Sequence, residues 1–586
     1  MWRKSGNLPN ARTTAMNHRQ RLPEPILQLA GTAAICAIAL IAMGRTFLMA
    51  WAGDAVIHLR IAELLAGGHG FEFNLGEPVV ATTSLLWTFI LAGFFSVLSP
   101  AGVAHAVKIL NVVLWMSTVF VTAIAWAQLS RSRWVGWVSA AILVFNPGVF
   151  QNSLNGMEAI LLALLQITLF FVVFRQAPPT SNRRLPLLLV MATLTALTRP
   201  EGILFCFLLA GFLAWQKRSL PAESIAILAG AVLGTAVMAG INLQVSGQLT
   251  PDSGVARMAA GLRESILLGP VHIHPRSIVR LAAYLPLTIG LLFAAFAATG
   301  RMPLPAGSPA LKGALSFSVL LVAAMLFFYT FIFGATHTIR YWIPFFPFVA
   351  GASCVGLVSL YQRWSAGRAR RPAAAKRLDP LDWAAAVVAI AMIVWMAGVY
   401  AIEARQRIRE GVGYPHSWIV NAKANRTNYT AQFLRQTGVE GLDKPIRLAV
   451  TEVQSRYFLE DDGSVEILSL DGRTAPDFAR FLDPRTGLRR FDLYLNEMKP
   501  DLIVLEQLDP SEPILPAVAQ ALQQNPEGVI LVDGYRFLPE PWLEPRLLTL
   551  PAQRTAISIG TGQPHARPRS PACCPICHLH RRPGPA

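Results

Sequence analysis

The feature that most constrains this chain is a series of apolar runs long enough to cross a lipid bilayer. They lie near 26–50, 104–128, 134–150, 158–174, 185–198, 202–216, 224–243, 278–299, 310–334, 341–362 and 383–403. A hydrocarbon core about 30 Å thick calls for about 20 apolar residues per helix. Inside it the backbone finds no water, so such runs fold as helices. Composition agrees: 53% of the 586 residues are hydrophobic, only 15% are charged, and mean hydropathy is +0.44, outside the range of ordinary soluble domains. The expected fold class is a polytopic α-helical membrane protein of about 11 to 12 transmembrane helices.

The formal net charge of +17 does not imply nucleic acid, because the basic residues fall in short clusters between apolar runs, where they act as topology signals. Arg131 and Arg133; Arg175, Arg183 and Arg184; Lys217 and Arg218; Arg301 and Lys312; and "RARRPAAAKR" at 368–377 occupy alternate loops. Those loops are expected in the cytoplasm. Glu158, Glu201, the segment 244–277 and "GATHTIRYW" then lie outside. For this parity to hold, "SLLWTFILAGFFSVLSP" at 84–100 has to be a re-entrant or surface-lying element of one large external loop, 51–103. The basic stretch 1–25 reads as a cytoplasmic tail before a retained first helix, since it lacks a small-residue cleavage site.

After about residue 404 the chain turns polar. Short β-like runs "IRLAVTEV", "PDLIVLEQL" and "GVILVDGYRFL", with helical stretches such as "DFARFL" between them, indicate a C-terminal extracytoplasmic α/β domain over 405–550. Residues 551–586 read as a disordered tail. Within it Cys574, Cys577 and His578 have the C-x-x-C-H spacing of c-type haem attachment. The surrounding Pro/Arg-rich sequence supplies no haem pocket, and chance metal binding explains the spacing as well. Cys36, Cys206 and Cys354 sit singly in apolar runs and form no disulfide framework.

The external loop carries the chemistry. "GDAVIHLRIAELLAGGHGFEFNLGEP" puts Asp54 and His58 four residues apart, on one face of a helix, with Arg60 on another. Glycines then break that helix and permit a tight return. No G-x-G-x-x-G follows a strand and there is no phosphate-cradling P-loop, so the chain shows no nucleotide site. No cluster has metal-ligand spacing, and His58 lacks a second His or acid group for that role.

"GDAVIHLRIAELLAGGHGFEFNLGEPVVATTSLLW" resembles the first external loop of lipid-linked sugar transferases of the GT-C superfamily. "LNGMEAILLALL", "LTRPEGILF", "HTIRYWIPFFPF" and "VTEVQSRYFLEDDGSVEILSLDG" follow in the same order as in those proteins. The likeness covers most of 45–505 and is strongest to bacterial polyprenyl-phosphate-sugar transferases, the group that includes arabinofuranosyltransferases. Protein O-mannosyltransferases are more distant kin. Gly53 stands where relatives commonly carry a second acid, Leu85 where Pro is common, and Asp252 and Arg257 where Asn and Lys are frequent.

The resemblance implies an inverting membrane glycosyltransferase of the inner (plasma) membrane. It would take a sugar from a polyprenyl-phosphate donor and pass it to an extracytoplasmic glycan, lipid or protein, with no cofactor and no metal. Asp54 would be the base. Arg199, Arg257 and Arg340, all at external membrane edges, are candidate phosphate partners, because a guanidinium binds phosphate through two parallel hydrogen bonds. His58 is expected to orient the base or touch the acceptor. Glu158 and Glu201 either contact substrate or pair with the arginines, and Arg60 and Tyr341 complete the candidate substrate-binding set. A transporter or flippase of lipid-linked glycans, which would favour charges near mid-helix, and a noncatalytic envelope-assembly homologue, suggested by Gly53, are the alternatives.

Overall fold

The computed structural model describes residues 24–254 and 285–369 apart from short stretches, and parts of 394–533. Arg257, Asp252, most of the run at 383–403, residues 1–23 and the tail at 551–586 lie outside the described residues.

Every apolar run up to 341–362 carries a helix. They are α1 (Glu24–Phe47), α4 (Pro100–Ser130), α5 (Arg133–Phe145), α6 (Pro147–Ser153), α7 (Ala159–Phe174), α8 (Arg184–Thr198), α9 (Pro200–Lys217), α10 (Ala222–Ser246), α11 (Leu285–Ala298), α12 (Pro309–Phe327) and α13 (Phe346–Ala369); α2 (Gly53–Ala66) and α3 (Leu85–Phe95) belong to the first loop. Five helices are long and apolar enough to cross a membrane, or six if one bent pair is a single span. The protein is thus a multi-pass helical membrane protein, and the expected 11 to 12 spans exceed what these lengths support among the described residues.

Two local outcomes differ in kind from one another. The run at 134–150, expected as one span, breaks into α5 and α6 with a 74° bend. Asn146 causes it: its side chain accepts from the Val149 amide at 3.0 Å and Pro147 follows at the first helical position, a new helix start. The run at 84–100, by contrast, yields only the 11 residues of α3, about 16 Å of helix and too short for a bilayer.

Basic loops gather at one end of the bundle. Arg184 donates to the carbonyls of Val172 and Val173 and lies 3.9 Å from Glu223, which Lys217 meets at 3.3 Å. Arg363 donates to the Arg301 carbonyl. Asp54, Glu158, Arg199, Glu201 and Arg340 come from the opposite ends of their helices. That segregation is what the alternation of basic and acidic loops requires.

Beyond the bundle, β3 (Ile446–Val450), β4 (Val465–Ser469), β5 (Leu502–Leu505) and β6 (Ile530–Asp533) form a parallel sheet in the order β4-β3-β5-β6. Three of these strands match the β-like runs of the sequence; β4 was not among them, and "DFARFL" forms only a short 3-10 turn at Phe478–Phe481. The sheet packs on the loop that holds α2 and α3. Ile57, Ile61, Phe71, Phe73, Val79 and Val80 share a core with Leu448, Val450, Val465 and Ile467. At its margin Asn74 acts as a surrogate strand residue, donating to the Ile467 carbonyl (2.8 Å) and accepting from the Ile467 amide (3.2 Å).

Candidate active site

The site is built where the chain leaves α1. Ala50–Trp51 (β1) pairs antiparallel with Tyr414–Pro415 (β2), and Ala52 donates its amide to the Asn155 carbonyl at 2.9 Å. Helix α2 then starts at Gly53, placing Asp54 in the first turn, where backbone amides and the helix dipole favour a negative charge. Residues Ala55 to Ala62 of α2 are all buried, so the helix is enclosed on every side instead of amphipathic. Gly68 and Gly70, both at positive φ, turn the chain back, as the glycine-rich sequence predicted.

Glu158 is positioned by the turn before α7. Gly156 has φ +87, and a Cβ there would meet the Trp51 ring at 2.5 Å, so only glycine fits. Its carbonyl accepts from Trp87 Nε1 (3.1 Å) and its amide donates to Asn111 Oδ1 (2.9 Å). Arg199 is placed by its neighbour: preceding Pro200, it is held extended and its side chain is directed past the start of α9. Arg340 and Tyr341 lie on a 3-10 turn, Ile339–Tyr341, ahead of α13.

These segments converge. Arg340 Nη1 lies 2.6 Å from Asp54 Oδ2, and both side chains keep partial exposure, 18% and 19%. Beneath them Arg199 forks onto Glu201 (Nε to Oε2 3.1 Å, Nη2 to Oε1 3.0 Å) and meets Glu158 through Nη1 at 2.5 Å. Glu158 is fully buried and Glu201 nearly so. Tyr341 sits between the two arginines, its ring 5.2 Å from the Arg199 guanidinium and 5.1 Å from that of Arg340. Its hydroxyl accepts from Arg340 Nη2 at 3.3 Å. His58 joins from α2, Nε2 3.5 Å from Glu158 Oε2 and Nδ1 2.9 Å from Thr82 Oγ1. Burial holds the His58 pKa below its ordinary value against the pull of Glu158 and Asp54, so the ring is neutral at pH 7.

Of the residues proposed from sequence, Asp54, His58, Glu158, Arg199, Glu201, Arg340 and Tyr341 meet in one cluster, and the pairing of Glu158 and Glu201 with arginine is realised in Arg199. Arg60 does not join them. Its side chain is fully buried and its Nε donates to the Phe73 carbonyl at 3.1 Å, with Glu63 4.0 Å away, so it braces the loop apart from the cluster. Two members were missed. Tyr329 donates to Glu201 Oε1 at 3.1 Å yet lies in an apolar run with nothing to mark it. Thr82 belongs to "ATTSLLW", a motif noted for its resemblance and never for its hydroxyl. Among the described residues no three His, Cys, Asp or Glu side chains are grouped to hold a metal ion.

No family model matches the chain. Over 226 residues it is 29% identical to the terminal β-(1→2)-arabinofuranosyltransferase of Mycobacterium tuberculosis, a match spanning 36% of this chain and 35% of that protein. The chain thus covers about a third of the length of this curated relative. The resemblance to lipid-linked sugar transferases therefore meets a curated glycosyltransferase. Among solved structures, the Archaeoglobus fulgidus oligosaccharyltransferase aligns with TM-score 0.43 and 12% identity over 76% of this chain and 62% of its own. ArnT from Cupriavidus metallidurans, bound to undecaprenyl phosphate, aligns with TM-score 0.43 and 13% identity over 88% and 96%.

Proposed function

We propose that this protein is an inverting glycosyltransferase that moves a sugar from a polyprenyl-phosphate donor to an acceptor hydroxyl on the extracytoplasmic side of the inner membrane. One observation carries the reading: a carboxylate from the first loop and a guanidinium from a distant turn meet at a partly exposed point above a buried ionic network. Asp54 removes the acceptor proton as its oxygen attacks the anomeric carbon, and the bond to the lipid phosphate breaks. Arg340 receives the negative charge of the departing phosphate, with the paired geometry that favours guanidinium. Arg199, Glu158 and Glu201 form the rigid floor that fixes Tyr341 and, through it, Arg340. Neutral His58, held by Thr82, lies on the same side of α2 as Asp54 and can orient the acceptor. The lipid tail stays in the bilayer, so no nucleotide site is required.

Purified protein incubated with a panel of short-chain prenyl-phosphate sugars should release sugar, read by mass spectrometry. Asp54→Asn keeps shape but cannot take a proton, and should cut turnover by roughly 100-fold or more, the scale of general-base loss. Turnover at the parental rate would remove Asp54 from the role. The absence of a second acid at Gly53 favours a noncatalytic homologue instead, and no release from any donor, with prenyl-phosphate binding intact, would establish that reading.

A further inference from the structure

The cluster's charges do not balance in favour of an incoming anion. Asp54, Glu158 and Glu201 face Arg199 and Arg340, and His58 is neutral, so the described members leave an excess of negative charge. Arg199 is committed to two buried carboxylates. Arg340 differs: it and its partner Asp54 both keep partial exposure, so an incoming phosphate can reach this pair. A carboxylate held by a guanidinium at 2.6 Å is also a poor base, because the neighbouring cation favours its ionised form over its protonated one.

We infer that the donor phosphate and Asp54 compete for Arg340, so that arrival of the lipid phosphate draws the guanidinium away and releases the carboxylate as a base. The inference rests on the reading of donor and site given above and concerns its regulation. A phosphate presents two oxygens in the spacing a guanidinium fork takes, more than the contact from Nη1 to Asp54 Oδ2 offers. Tyr341 supplies the pivot. Its ring and hydroxyl hold Arg340 independently of Asp54, and the Arg199 guanidinium on the ring keeps Tyr341 in place while Arg340 changes partner. Without donor the base is masked, which suppresses proton uptake until a sugar phosphate is seated.

The test measures affinity for a short-chain prenyl phosphate lacking sugar, using the full-length protein in nanodiscs, for the parental chain, Asp54→Asn, Arg340→Gln and the double variant. Competition predicts that Asp54→Asn binds about tenfold more tightly than the parent, and that the gain disappears when Arg340 is also replaced, as coupled neighbours require. Arg340→Lys, which keeps the charge and is less disruptive to folding, should retain part of the gain. Equal or weaker binding by Asp54→Asn overturns the inference. So does an undiminished gain in the Arg340→Gln background, which would be general charge repulsion, or an equal gain toward the corresponding prenyl alcohol. If none of the four proteins binds prenyl phosphate, the donor assignment itself fails and the inference with it.

Discussion

Arg199 shows how one side chain can tie several segments into one site. It pairs with two carboxylates that are otherwise sealed from water, Glu158 and Glu201. Removing one partner of such a pair leaves uncompensated buried charge. Arg199→Met should therefore destabilise the protein by about 3–5 kcal/mol, measured by thermal or denaturant unfolding in detergent, whereas Glu158→Gln, which leaves the fork to Glu201, should cost clearly less. Two histidines contribute to the acid response. Burial lowers the pKa of His58, and that of His416 to about 4; Trp51 donates to His416 Nδ1 at 3.0 Å. At these two groups the unfolded chain takes up protons near pH 6.5 that the folded chain refuses, so their contribution to stability is full above that pH and is lost as the pH falls below it, for His416 by up to about 1.4 kcal/mol per pH unit on the way towards 4. His58→Gln should flatten the slope, as read from unfolding midpoints across that range.

At the scale of elements, α2 and its return loop were legible and the sheet was partly so. Asp54 interrupts an apolar chain, and the glycines after it mark where the helix must end, so periodicity and turn chemistry sufficed. The strand β4 escaped because "VEILS" is short, is flanked by polar residues and gains its strand character from pairing along β3. Arg60 stands apart from the cluster for a related reason: nothing local to α2 shows that its guanidinium turns to the Phe73 carbonyl. The break at Asn146–Pro147 carried its own signal, an N-cap residue followed by proline, which run length overrode. Asn74 joins loop to sheet through two hydrogen bonds to one residue. Asn74→Ala strands the Ile467 amide and carbonyl, and should lower stability by about 1–3 kcal/mol; Asn74→Asp keeps the acceptor but sets an oxygen against the Ile467 carbonyl and Glu77 Oε2, and should lose at least as much. Melting curves of the two variants decide it.

For the whole molecule, the ionic cluster and the basic loops occupy opposite ends of one bundle. Reporter fusions after residues 103, 220 and 404 should report outside, inside and outside. A cytoplasmic signal at 103 would mean that 84–100 crosses the membrane. What sequence alone supplied here was parity, because charge bias is written locally in each loop. What it could not supply was convergence. Asp54, Glu158, Arg199 and Arg340 lie far apart along the chain, and only tertiary packing decides which ionic groups share a partner.

The two-residue ladder between Ala50–Trp51 and Tyr414–Pro415 imposes an order on biogenesis. A ribosome delivers the first of these segments hundreds of residues before the second, and the helices from α4 to α13 are made in between. Until Tyr414 emerges, the strand preceding Asp54 has an open edge and the Trp51 indole lacks His416. Asp54 is therefore anchored late, by chain made after the bundle that surrounds it, and a nascent molecule carries an unfinished cluster throughout its insertion.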